Sequence, residues 1–89
     1  MGLPSADDRL FRDAAGLLAE LAARHGVTSL RLGADPAELV VTLEQGRTYF
    51  DLAGFEAEAE TRLRHRLSVT SAGAPGAQPR ELLAPAPAA

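Results

Sequence analysis

Apolar positions recur at helical spacing from the start of the chain. In "SADDRLFRDAAGLLAELAARHG", Leu10, Ala14, Leu17 and Leu21 follow an i, i+4, i+7, i+11 stripe, and Phe11 and Leu18 widen it. Ser5 and Asp8 read as a capping-box-like pair, with Asp in place of the usual Glu. Asp7 and Asp8 lie where a helix dipole favours negative charge, Arg24 and His25 where it favours positive. Gly26 follows as a C′ residue. The pattern predicts one helix with both ends marked. The period then falls to two. "VTSLRL" predicts a short strand with Leu30 and Leu32 on one face, and "GADPA" breaks it. "ELVVTLE" predicts a second strand. Leu39, Val41 and Leu43 point one way, Val40 and Thr42 the other, so apolar residues on both faces make it the central strand.

"QGRTYFDLAGFEAEAETRLRHR" admits two readings. Gly46 could close a hairpin back through "TYFDL". Alternatively Thr48 caps a helix with Asp51 three residues on. The helix would bury Phe50, Gly54, Ala57 and Leu63, with Gly54 costing about 1 kcal/mol relative to Ala. Tyr49 and Phe50 would sit in the core or at its rim. Glu58 with Arg62, and Glu60 with Arg64, are at i, i+4 pair spacing. "RLSVTS" predicts a third strand with Leu67, Val69 and Ser71 alternating. The composition then shifts to Ala, Pro and Gly.

The sum is an α/β (α+β) domain over residues 1–74, of order α-β-β-α-β, with a three-stranded mixed sheet. Residues 75–89 form an Ala/Pro-rich tail in which Pro79 starts a short helix through Leu83. A sheet with two open edges predicts self-association, most simply as a dimer.

Composition changes this picture little. The chain has 89 residues, 46% of them hydrophobic and 24% charged, as in one small globular domain. The net charge of −3 argues against a basic nucleic-acid binder. All nine basic residues are Arg, which fits the coding bias of a GC-rich genome. With no Cys there is neither a disulfide framework nor thiolate chemistry. The charged start "MGLPSADDRLFRD" lacks an apolar h-region, and no apolar run approaches the ~20 residues of a membrane span. A cytoplasmic protein with no membrane partner is expected.

Several stretches resemble the minimal (MNT-type) nucleotidyltransferases of the polymerase-beta nucleotidyltransferase superfamily. "LAELAARHGVTSLRLG" is similar to their opening helix and first strand. "LVVTLEQGRTYFDLAGFEAEAE" is similar to the second strand, a Gly-containing loop and the next helix. "RLSVTS" is similar to the last core strand and "PRELLAPA" to a short terminal helix. The resemblance favours helix over hairpin after Gly46.

It also implies a site. Active members place Gly-Ser after the first strand, Asp-x-Asp at the second, and a third acid on a later strand, which together hold two Mg²⁺. Here Gly33 matches the Gly, but Ala34 replaces the Ser. "PAELVV" sets Pro36 at the first Asp and Glu38 at the second, and Ser68 stands where the third acid belongs. Asp35 is shifted by one and precedes a proline, so a polar turn is its simpler role. The resemblance therefore implies a frame without its transfer chemistry, needing no cofactor. Such a chain would act as an antitoxin-like protein-binding module. Its partner would be a second copy or a helical HEPN-type protein, as in bacterial toxin–antitoxin pairs. The alternative is a weak Mg²⁺-dependent nucleotidyltransferase using Glu38. In "RLRHR", Arg62, His65 and Arg66 could share a helix face and contact phosphate or a partner; the plainer reading is cations at a helix C-terminus. His25 and His65 lack ligand spacing and read as surface or capping residues.

Overall fold

The computed structural model describes residues 2–84. The N-terminal stretch forms two helices, α1 (Asp8–Asp13) and α2 (Ala15–Arg24), where one was expected. The cap is Asp7, not Ser5. Asp7 has extended backbone and accepts the Leu10 N–H at 2.9 Å. Ser5 is drawn away by a bridge to Arg66. At Ala14 the backbone leaves the helical region, and its N–H is shared between the Arg12 and Leu10 carbonyls. Gly16, a weak helix former, follows at once. Phe11, Leu18, Leu21 and Ala22 are buried, while Leu10, Ala14 and Leu17 pack at the margin. The face turns so that the bulkiest side chain, Phe11, is sequestered from water. Gly26 has φ +72°, as its C′ role requires, and the Arg47 side chain lies where a Cβ would project.

Four strands follow: β1 (Val27–Leu32), β2 (Glu38–Leu43), β3 (Ser68–Ser71) and β4 (Leu82–Ala84). Their spatial order is β3-β2-β1-β4. β2 runs antiparallel to β1 and parallel to β3, and β4 runs antiparallel to β1. The interior position expected of "ELVVTLE" is met. Leu39 and Val41 enter the core with Leu30, Leu32 and Val69, against the helices. Val40 is 1% exposed yet points to the opposite face.

The sheet thus has one strand more than expected, and the predicted helical turn from Pro79 to Leu83 is absent. A single isolated turn is poorly nucleated. Pairing with β1 satisfies backbone groups that an edge strand leaves open: Leu32 N–H donates to Glu81 O at 2.9 Å, and Arg80 N–H to Leu32 O at 2.7 Å. The domain accordingly extends past residue 74 to at least Ala84; the end of the expected tail, residues 85–89, lies outside the described residues.

The ambiguous segment is a helix, α3 (Tyr49–Leu63), with the reciprocal capping box of Thr48 and Asp51 complete. Thr48 Oγ1 accepts the Phe50 N–H at 3.2 Å, and Asp51 accepts the Thr48 N–H at 2.9 Å. Its buried face is Leu52, Phe55 and Ala59, a different phase from the one predicted. Tyr49 and Phe50 are therefore exposed, at 76% and 84%, rather than core or rim.

α3 also closes the outer edge of β3. Val69 N–H donates to Glu56 at 2.8 Å and Leu67 N–H to Glu60 at 3.1 Å. These carboxylates close the outer side of β3, while β4 pairs with β1 and becomes the terminal strand at the other side of the sheet.

Candidate functional site

The residues implied by the resemblance meet at one end of the sheet, where β1 turns into β2. Gly33 N–H donates to Glu38 O at 2.9 Å and Glu38 N–H to Asp35 O at 3.1 Å, so 33–38 is a tight polar turn. Asp35 and Pro36 are exposed on it. Glu38 opens β2, and its register partner on β3 is Ser68. Gly33, Ala34, Glu38 and Ser68 thus lie together at this end of the sheet, and Asp35 is exposed on the turn.

Glu38 is occupied within the fold. One carboxylate oxygen accepts the Ala34 N–H at 3.1 Å, and the other accepts the Thr70 hydroxyl at 3.0 Å. Its side chain folds back over Gly33, filling the space of a Cβ there. A carboxylate accepting from both sides is fixed in direction, with fewer lone pairs left for a cation. Among the described residues, no group of three or more His, Cys, Asp or Glu side chains is placed to share a metal ion.

Sequence reasoning missed two residues here. Thr70 alternates onto the same sheet face as Ser68 and reaches Glu38. Arg80, from the supposed tail, donates Nε to Gly33 O and Nη2 to Asp8 at 3.1 and 3.2 Å. The isolated Arg-Glu pair in an otherwise Ala/Pro-rich stretch was the available signal.

The basic cluster does not form as a helix face. α3 ends at Leu63, and Arg64 takes the left-handed conformation, φ 56° and ψ 39°. His65 and Arg66 lie beyond the helix; the Arg66 backbone pairs with Pro4 and Ala6. The expected i, i+4 pairs give way to other partners. Glu58 holds His25 Nε2 at 2.8 Å and Arg24 at 2.9 Å, joining the end of α2 to α3. The His25 hydrogen bond, aided by the charges of Arg24 and Arg62, holds the Glu58 carboxyl below its ordinary pKa. Glu60 serves Leu67 instead of Arg64. His25 caps α2, as one of the readings had it, and its ring lies over Gly54 and edge-on to Phe55.

Compared with family models, curated proteins and solved structures, the chain gives no significant match. Among the described residues, no helix is long and apolar enough to cross a membrane.

Proposed function

We propose that this chain is a non-catalytic, protein-binding module on a shortened nucleotidyltransferase-like frame, acting in the cytoplasm. The observation that carries the reading is the adjacent pair Tyr49 and Phe50, 76% and 84% exposed at the start of α3. Two aromatics left in water beside a completed capping box do not stabilise the monomer. Aromatic side chains of this kind serve well as anchors at interfaces. The resemblance supplies the partner class, a helical HEPN-type protein in an antitoxin-like pairing, or else a second copy. The engaged state of Glu38 gives further support, since its oxygens already serve Ala34 and Thr70.

The test is a pull-down from native lysate with the partner identified by mass, alongside light scattering of the purified chain. The expected result is a defined partner, or a dimer, lost in Tyr49→Ser/Phe50→Ser. A monomer that captures the same proteins with and without the aromatic pair would overturn the reading.

The second reading is Mg²⁺-dependent nucleotidyl transfer through Glu38. It draws on the register pairing of Glu38 with Ser68 at the expected end of the sheet. Two-metal transfer needs carboxylates that clamp ions ~3.5–4 Å apart, and Pro36 and Ser68 offer none. Incubation with labelled nucleoside triphosphates, Mg²⁺ or Mn²⁺ and candidate acceptors decides between the two. Labelled product that disappears in Glu38→Gln would put transfer first.

A further inference from the structure

The link from β3 to β4 has an unusual course. β3 and β4 both run parallel to β2, yet they occupy opposite edges of the sheet. Residues 72–81 must therefore return the length of the sheet and cross its width, and no helix does this. The helices pack on the other face, while Val40, which points away from them, is 1% exposed. Ala74 and Ala77 within it are half-buried.

What holds its far end is specific. Arg12 on α1 grips Glu81 through two hydrogen bonds, at 3.0 and 2.9 Å. Asp8, one turn earlier, accepts from Arg80. Arg31 donates to the Arg80 carbonyl at 3.1 Å. The register with β1 amounts to Leu30 with Ala84 and Arg31 with Leu82, with an irregularity between them. The ladder is short and its ion pairs join half-exposed side chains, so the charged part of the fastening is salt-sensitive, while Leu83 packs at the margin of the core and Arg80 Nε donates to the Gly33 carbonyl.

We propose that β4 is a detachable strap, and that the β1 edge beneath it, flanked by Asp8 and Arg12, is a strand-addition site for an extended peptide of a partner protein. The peptide carries, in order, a basic residue, an acidic residue and two apolar residues. Charge complementarity sets that order: Asp8 selects the base, Arg12 the acid, and the backbone of Leu30 and Leu32 supplies the ladder. The chain's own Arg80-Glu81-Leu82-Leu83 occupies the site in cis and competes with the partner. This site lies at the opposite end of β1 from the aromatic pair and does not depend on it.

The test uses the full chain and residue-level amide exchange. Leu32 N–H faces β4, whereas Arg31, paired with Val40, faces β2. In the wild-type protein, raising salt from low to ~1 M should speed Leu32 exchange at least about tenfold relative to Arg31. Arg80→Glu/Glu81→Arg keeps the net charge but sets like charges against Asp8 and Arg12, and should do the same at low salt. A labelled peptide copying residues 78–84 should then bind this variant and restore Leu32 protection. The same peptide with its Arg and Glu exchanged should bind at least about tenfold more weakly. Leu32 and Arg31 exchanging together in wild-type protein at every salt would overturn the strap, whether or not the variant folds. A freed edge that ignores the peptide, or a variant that doubles its mass without peptide, would overturn the assignment of the occupant.

Discussion

Arg64 sits in the left-handed region at φ 56°, where a Cβ crowds the backbone and glycine is the usual occupant. Its side chain is exposed, so nothing is lost from the core on removing it. Arg64→Gly should therefore raise stability by about 0.5–1 kcal/mol, read as a higher urea midpoint at unchanged slope. Val41 is the opposite case. It is fully buried on an interior strand and belongs to the core cluster. Val41→Asp would bury a carboxylate with no partner, at a cost of several kcal/mol against the ~5–15 kcal/mol of a whole domain. The variant should not fold, and a soluble, cooperatively melting Val41→Asp protein would refute the strand assignment. Gly26 was legible because a cap position announces itself in sequence. Gly54 was not. It looked like a defect in a helix, and only the fold brings the His25 ring from another helix onto it, too close for a Cβ to be added without adjustment.

The helices and strands were read unevenly, for physical reasons. β1, β2 and β3 carry their own alternation, so they were legible. β4 has no alternation to read; β1's unpaired edge makes it a strand. In α3 the many Ala residues weaken the periodic signal, and two phases fit the remaining bulky positions. The packed one puts Leu52 and Phe55 inward and leaves Phe50 out. The candidate site was legible as a place, because Gly33, Glu38 and Ser68 do converge, but the binding of Glu38 by Thr70 depends on a parallel register invisible in the sequence. The same parallel pairing leaves β3 an outer edge, and Glu56 and Glu60 close it from one face of α3, four residues apart. Removing both in Glu56→Ala/Glu60→Ala should leave the Val69 and Leu67 N–H groups open to another chain. Faster exchange at Val69 and concentration-dependent association beyond that of wild type, seen by sedimentation, are the expected outcomes. A variant that sediments like the parent at every concentration would show that the edge is protected by something else.

Three clamps at the periphery tie the elements together, and each depends on an ionised carboxylate. Glu58 joins α2 to α3, Glu81 joins β4 to α1, and Asp51 joins the Arg47 loop to α3. All three carboxyls are held below their ordinary range. For Glu58 the main cause is the His25 hydrogen bond, for Glu81 that of Arg12, and for Asp51 the Thr48 backbone N–H. A carboxyl with a lower pKa folded than unfolded takes up more protons in the unfolded chain as the solution is acidified. Its contribution is complete above the unfolded pKa, near pH 4–5, and is lost as pH falls through the folded value. Stability should therefore decline between pH 5 and pH 3, and because the pairs are exposed, added salt should make the decline shallower. The discriminating comparison is the wild-type protein against Glu58→Gln/Glu81→Gln, in which neither position titrates. The variant should have the lower urea midpoint at pH 5, and the gap should close toward pH 3 as the wild-type carboxylates become protonated. A gap that stays constant down to pH 3 would mean that the two glutamates stabilise the fold through packing of their side chains and not through charge.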